Sequence, residues 1–181
     1  MIRDIHKAII ASLLIGLPLL SFAKRYDVTL PEVASCLKTA QPGDQIYIKD
    51  GQYKDMQLKW MGKGTEKSPI SIKALNPGKV KIEGGSTLRI AGEWISVDGL
   101  YFTDGYAPKG SVIEFRNGQE LANHCRLTNC VIDKFNPSRR DQAYSYILLY
   151  GRHNRVDHCS LTGKLNSVSY THLTLPTTPY V

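Results

Sequence analysis

The segment Ile95–Phe102, which reads ISVDGLYF, sets the pattern of this chain because it returns twice more at nearly constant spacing. Residues Cys125–Ile132 read CRLTNCVI, and residues Asn154–Leu161 read NRVDHCSL. Each copy alternates apolar and polar residues, passes through a turn residue and then alternates again. The copies begin at residues 95, 125 and 154, so the repeats are 30 and 29 residues long.

Another run of strand length precedes each copy, at Thr87–Ile90, Val112–Phe115 and Tyr146–Tyr150. Glycine or asparagine-glycine turns bound these runs, and no helical period is visible after residue 44, which excludes βαβ units and leaves a sandwich, a barrel or a solenoid. Two or three strands in each repeat, with no helix, favour the solenoid. We therefore predict an all-β parallel β-helix, whose coils stack at a strand spacing of about 4.8 Å.

The third copy contains Asp157, His158 and Cys159, residue types that bind metals and activate nucleophiles. The repeat places Cys159 at the position of Leu100 and Cys130, so we predict a core-facing thiol there and a coil corner at His158. Neighbouring strand residues point to opposite faces and no Cys-x-x-Cys is present, which disfavours zinc. No turn motif supports a nucleophile. A disulfide between Cys130 and Cys159 stays open at this point.

Residues 1–23 predict a secretory signal peptide, with a basic start, an apolar run and a small-x-small site that ends at Ala23. The apolar run is too short to span a membrane. We therefore expect an exported protein, periplasmic or extracellular, without membrane contact after cleavage. The segment carries Arg3, Lys7 and Asp4, so its removal lowers the formal net charge from +7 to +6.

One short helix is predicted after the signal peptide. Thr29 is suited to its N-cap and Glu32 completes a capping box, while Val33 and Leu37 share an apolar face. The first coil of a β-helix exposes an unpaired sheet edge. We expect the helix to cover that end of the solenoid.

Basic residues are dispersed along the chain, so no nucleic-acid-binding stripe is predicted. In an exported protein the positive charge fits an acidic polysaccharide. Arg152 and Lys164 are the predicted substrate-binding residues. The candidate basic and aromatic residues for a sugar groove on exposed strands are Lys59, Trp60, Arg116, Tyr146, Arg152 and Lys164, and for most of them ordinary solvated surface is the alternative.

Several stretches between Leu30 and Asn166, including AQPGDQIYIKDGQYKD, LANHCRLTNCVIDKFN and LYGRHNRVDHCSLTGKLN, resemble the polysaccharide lyases of family 6. That family contains alginate lyases and chondroitinase B, and HCRLTNCVID and GRHNRVDHCS look closer to the alginate lyases. The resemblance implies a right-handed parallel β-helix of the pectin lyase type. It also implies β-elimination on a uronate polymer, alginate before chondroitin or dermatan sulfate, with a calcium ion held by an Asn and two Glu, a Lys base and an Arg acid.

We predict that this chain holds neither those catalytic residues nor the calcium ligands. In the family they follow the RVDHCSLTGK segment, and no Glu-x-Glu occurs after Asn166. Residues 24–168 are then the N-terminal coils of a lyase domain. Residues 169–181 contain no Lys, Arg, Asp, Glu or Gly and resemble a translated sequencing adapter, so we expect a non-native tail. Calcium is expected in the complete enzyme only, and this chain alone is expected to be inactive.

Three alternatives remain open from the sequence. A pectate lyase or a mannuronan epimerase would share the β-helix, and the epimerase would leave the polymer length unchanged. A β-helix protein that only binds acidic glycans would share the basic surface but lack the downstream catalytic set.

Overall fold

A computed structural model describes residues 23–138, 143–165 and 170–172 of the chain, the last range as backbone only. The part described is built almost entirely of strands. Their bounds are β1 Arg25–Val28, β2 Gln45–Ile48, β3 Gly51–Lys54, β4 Gln57–Lys63, β5 Ile70–Ala74, β6 Val80–Gly85, β7 Thr87–Glu93, β8 Ile95–Asp98, β9 Tyr101–Tyr106, β10 Ser111–Glu114, β11 Arg116–Asn117, β12 Glu120–Asn123, β13 Arg126–Thr128, β14 Val131–Asp133, β15 Ser145–Leu149, β16 Gly151–Arg152, β17 Arg155–Asp157, β18 Ser160–Thr162 and β19 Tyr170–His172.

The strands form three sheets that wind around one core. Sheet A runs in the order β1-β2-β5-β8-β13-β17, and sheet B runs β18-β14-β9-β6-β3. Sheet C runs β11-β12-β7-β10-β15-β19, and β4 and β16 pair with β7 and β12. Among the described strands, only β11 and β12 pair antiparallel. The predicted all-β parallel β-helix is confirmed.

The register of sheet A follows the sequence repeat residue by residue. Val97 pairs with Leu127, which pairs in turn with Val156. In sheet B, Phe102 pairs with Ile132 in the same way. The first two residues of each set are fully buried, so one position of the repeat builds one column of the core. Period-2 alternation fixes this register, because a slip of one residue would turn every apolar side chain outward.

The corner between sheets A and B forms at the predicted turn position. Gly99, Asn129 and His158 have φ angles of 80°, 52° and 52°, in the left-handed region. Glycine and asparagine adopt this conformation at low cost, whereas histidine does so less often. The side-chain amide of Asn129 donates a hydrogen bond of 3.0 Å to Asp98 Oδ1 in the preceding coil, which links the two coils at the corner.

The predicted N-terminal helix is present and short. A 3₁₀ turn at Leu30–Glu32 leads into α1, Val33–Leu37. Glu32 Oε2 accepts a hydrogen bond of 2.7 Å from the Thr29 backbone N–H, as a capping box requires. Leu30 and the apolar face of α1 are buried at the end of the core. No helix within the described ranges is long and apolar enough to cross a membrane.

One feature at this end was not predicted. No strand is predicted before the helix, but Arg25–Val28 forms β1, which pairs parallel with β2 and is the edge strand of sheet A. Its side chains are alternately exposed and only half-buried, so the strand carries little of the apolar pattern that reveals a strand in sequence.

The predictions for the two ends of the chain, a signal peptide and a non-native tail, are not tested by the described residues. Apart from Ala23, the predicted signal peptide lies outside the described residues. Within the segment predicted as a non-native tail, the backbone of β19 pairs parallel with β15, with Tyr170 opposite Ile147. The domain boundary at residue 168 stays a prediction.

Candidate substrate-binding site

The two predicted substrate-binding residues lie at opposite ends of β15. Lys164 Nζ is 4.1 Å from the ring centre of Tyr144, just before the strand begins. Arg152 is exposed in β16, and its backbone N–H donates a hydrogen bond of 3.0 Å to Asn123 Oδ1. Seven residues of mostly extended chain lie between Tyr144 and Arg152, a span of about 25 Å. The structure therefore does not bring Arg152 and Lys164 into one subsite, and their role in binding remains a prediction.

Two of the aromatic residues expected on the surface are in the core. Trp60 and Tyr146 are both 0% exposed, so the expectation that they line a groove is wrong. Lys59 and Trp60 are adjacent in β4, and adjacent strand residues face opposite sides of a sheet. Lys59 points outward and Trp60 points into the core. The hydroxyl of Tyr146 donates a hydrogen bond of 3.1 Å to the Thr162 carbonyl.

The remaining two members of that set, Lys59 and Arg116, line one groove of about 360 Å³ on the outer face of sheet C. Lys59 lies opposite Arg89 in the sheet register, and Arg89 lies opposite Glu114. The groove therefore crosses three neighbouring strands, β4, β7 and β10. Its charged side chains are three cations and one carboxylate, so its net charge is positive.

Glu114 organises the charges of this groove. Its side chain is only 10% exposed, and Oε1 accepts a hydrogen bond of 2.5 Å from Arg116 Nε. Oε2 lies 3.1 Å from Arg89 Nε and 3.3 Å from the hydroxyl of Ser111. Burial lowers the pKa of Arg89, while Glu114 acts in the opposite direction. A carboxylate held by two guanidinium groups keeps both of them in fixed positions.

Sequence reasoning missed Arg89, Glu114 and Tyr150. Arg89 and Glu114 are outward-facing positions of two runs that the sequence already marked as strands. Their pairing depends on how β7 and β10 align, and the repeat of sheet A does not fix that alignment. Tyr150 contributes through its ring, whose centre is 3.9 Å from the guanidinium carbon of Arg116.

The Asp-His-Cys stretch divides between the surface and the core. The ring of His158 is 68% exposed at its corner, with Nδ1 3.4 Å from Asp157 Oδ1. Cys159 packs against the core cluster directly after Cys130 in the stack, as predicted. The neighbouring Cys130 thiol lowers the pKa of the Cys159 thiol to about 7, whereas burial raises the pKa of Cys130. Both cysteines are free thiols in this structure.

A stack of rings and a set of asparagine hydrogen bonds also connect neighbouring coils. The rings of Trp94, His124 and His153 stack in succession at the corner before sheet A. Next to them, the Asn154 side-chain amide donates hydrogen bonds of 2.8 Å to the carbonyls of Ala122 and Tyr150, and its oxygen accepts from the Cys125 N–H. His124 and His153 thus serve in stacking. Across the described ranges, no group of three or more His, Cys, Asp or Glu side chains is arranged to hold a metal ion.

Fold and surface together define a parallel β-helix protein with a cationic groove on one sheet. The profile of the chondroitinase B family matches residues 29–176. The chain therefore belongs to this family of polysaccharide lyases, family 6, which also contains the alginate lyases to which its structure is similar. No curated protein matches the chain.

Solved structures of the family superpose on the chain. The PL6 family alginate lyase AlyGC, in a variant form, is 43% identical with a TM-score of 0.79, over 83% of this chain and 21% of that chain. A mannuronic acid specific family 6 lyase from human gut microbiota is 32% identical with a TM-score of 0.70, over 77% of this chain and 34% of that one. Pedsa3628 from Pseudopedobacter saltans is 32% identical with a TM-score of 0.70, over 79% and 32%. The chain thus spans about a fifth to a third of these relatives.

Proposed function

We propose that this protein acts in the cleavage of alginate by β-elimination, and that the chain supplies N-terminal coils that bind and orient the polymer. The observation that carries the proposal is the 43% identity to an alginate lyase over 83% of the chain. The cationic groove on sheet C supports it, because an alginate chain carries one carboxylate on every sugar.

β-Elimination removes the proton from the carbon that bears the carboxylate. The electron pair forms a carbon–carbon double bond, the bond to the 4-linked sugar oxygen breaks, and a proton is delivered to that oxygen. The proton that leaves is weakly acidic, so the carboxylate charge must be neutralised as the carbanion develops. Cations that hold neighbouring carboxylates fix the position of the polymer, which is the contribution we assign to the residues of this chain.

Calcium, which the family resemblance predicts for the complete enzyme, does not fit the residues described. Calcium prefers several carboxylate and amide oxygens. Glu114, the one carboxylate that lines the groove, is already held by Arg89, Arg116 and Ser111. We assign no step of the reaction to a metal within this chain, and propose that calcium is bound by residues found in complete family members.

The test is expression of the complete open reading frame that contains this chain, followed by incubation with polymannuronate, polyguluronate and dermatan sulfate. We expect the ultraviolet absorbance of unsaturated uronate to rise with the alginate polymers, and chelation of calcium to abolish the rise. The 181-residue chain, assayed in parallel, is expected to give no product.

Three outcomes would contradict parts of the proposal. Product from dermatan sulfate alone would favour a chondroitinase B activity. Binding of alginate without cleavage by the complete protein would favour a glycan-binding β-helix. Unsaturated product from the 181-residue chain would show that its own residues perform catalysis.

We also propose that the protein is exported, on the strength of the signal-peptide pattern in residues 1–23. Expression in a bacterial host is expected to give a periplasmic or extracellular product that begins at Lys24, which N-terminal sequencing would establish. A cytoplasmic product that retains Met1 would overturn this part.

A further inference from the structure

We propose that Arg116 and Lys59 form a subsite for the carboxylates of an acidic polysaccharide on the outer face of sheet C, with Arg116 as a pre-positioned carboxylate-binding fork. The inference rests on the proposed function for the class of substrate. It goes beyond that proposal by assigning a binding site to residues that neither the sequence repeat nor the similarity to known lyases identifies.

Arg116 is held at two points. Its Nε donates a hydrogen bond of 2.5 Å to the buried Glu114 carboxylate. Its guanidinium carbon lies 3.9 Å from the ring centre of Tyr150. A guanidinium fixed against a ring and a carboxylate loses little freedom when it binds a ligand. Its side chain is still 41% exposed, so the end of the group faces the groove.

Arg116 and Arg89 differ in what remains available to a ligand. Arg89 forms an ion pair through Nε with Glu114 at 3.1 Å, and its Nη1 donates hydrogen bonds of 3.0 and 3.4 Å to the backbone carbonyls of Ser111 and Leu88. Among the described residues, the two Nη groups of Arg116 have no hydrogen-bond partner. Two parallel N–H donors from one guanidinium match the two oxygens of a carboxylate. Arg89 thus balances the charge of Glu114, and Arg116 keeps its binding end free.

Lys59 provides the second positive charge of the subsite. It is exposed on β4 in the same cross-strand row as Arg89 and Glu114, and none of the described acidic residues forms an ion pair with it. Two strand spacings separate β4 from β10, so the backbones of Lys59 and Glu114 lie about 10 Å apart. A polymer that crosses the strands, along the axis of the solenoid, can therefore place two of its carboxylates on two separate cations.

The experiment measures binding of saturated oligomannuronate and oligoguluronate to the purified 181-residue chain by calorimetry at low salt. The substitution Arg116→Gln removes the charge and the fork but keeps a polar side chain beside Glu114. We expect about a ten-fold loss of affinity or more, as for a lost charge-assisted hydrogen-bond pair. Arg116→Lys, which keeps the charge, is expected to recover only part of the loss.

Arg25 is the matched control. It also pairs with a carboxylate, Asp27, and its guanidinium carbon lies 4.1 Å from the ring centre of Tyr47, but it belongs to sheet A. Arg25→Gln is expected to change the affinity less than two-fold. Circular dichroism and thermal melting of each variant establish that its fold is retained, and Lys59→Gln provides a second test that leaves the Glu114 cluster intact.

Two further probes test which part of the ligand is recognised: an oligosaccharide whose carboxylates have been reduced, and free sulfate. We expect neither to match the native uronate oligomer. Equal affinity of wild type, Arg116→Gln and Lys59→Gln, or equal binding of the reduced oligomer, would overturn the subsite. The proposed lyase function is tested apart from it, because cleavage of alginate by the complete protein stands even if both variants bind normally.

Discussion

The indole of Trp94 stacks on the imidazole of His124, with ring centres 4.2 Å apart and planes inclined by 12°. His153 continues the stack at 4.7 Å from His124. All three residues have φ angles of 54° to 55°, a left-handed conformation that side chains of this size seldom adopt. Because the coils stack in register, each of three successive coils places one of these residues at the same corner. The contacts between the rings offset the backbone strain there.

His124→Ala is expected to lower the free energy of unfolding by about 1–3 kcal/mol, because it removes two ring contacts worth about 0.5–1.5 kcal/mol each. Urea denaturation measures the change. His158→Ala is the control, since His158 has the same φ but an exposed ring outside any stack. Equal losses in the two variants would show that the ladder adds nothing to stability.

Gly92→Ala is expected to destabilise the chain by more than about 3 kcal/mol or to prevent folding. The added Cβ would lie 2.1 Å from the Gly62 carbonyl oxygen of the preceding coil, and φ is 100°. Gly118 also has a positive φ, 65°, but nothing lies within 4 Å of its added Cβ. Gly118→Ala should therefore cost only about 1 kcal/mol, the conformational part. Similar melting temperatures for both variants would contradict the close approach of the coils.

Cys159 is expected to be alkylated before Cys125 and Cys130 at pH 7. Its pKa is lowered to about 7 by the neighbouring Cys130 thiol, whereas burial raises the pKa of Cys125 to about 11. Because the thiolate is the reactive form, the rate at Cys159 should rise through a midpoint near its pKa. Mass spectrometry after timed treatment with iodoacetamide measures each site. Cys130→Ala should move the midpoint upward, and an unchanged midpoint would exclude the Cys130 thiol as the cause.

Asp157→Asn is expected to lower the melting temperature at pH 7 by a few degrees, with a difference from wild type that shrinks in acid. The Thr128 hydroxyl beside it and the Arg126 guanidinium hold the pKa of Asp157 well below its usual range. A depressed folded pKa stabilises the protein above the unfolded value of about 3.9, and this stabilisation is lost as the pH falls through the folded pKa.

Melting curves between pH 7 and acid test this linkage. Asp27→Asn is the control, because the pair of Asp27 with Arg25 is about half exposed on both sides and screened by solvent. We expect a smaller effect from it at pH 7. A difference between wild type and Asp157→Asn that stays constant with pH would show that the substitution acts through packing.

Much of the site was beyond sequence reasoning for a physical reason. The repeat aligned Val97 with Leu127 and Val156, and it predicted the corner at His158, because a solenoid turns sequence periodicity directly into stacking. The repeat does not identify which surface residues come together in space. Trp60 and Tyr146 were expected outside and are inside. Trp60 lies in the middle of β4, on the same face as the buried Leu58, so its side chain belongs to the core.

The sequence alone determined that the chain is an all-β parallel β-helix, that Cys130 and Cys159 share one core position, and that a capped helix lies near the N-terminal end of the coils. These three features follow from local alternation of apolar and polar residues and from a nearly constant repeat length, both of which recur in each coil. Only the tertiary structure decided that Arg89, Glu114, Arg116 and Tyr150 meet on sheet C. Their contacts join strands from three different coils, and the distance between side chains on separate coils depends on register and rotamer, which no local pattern encodes.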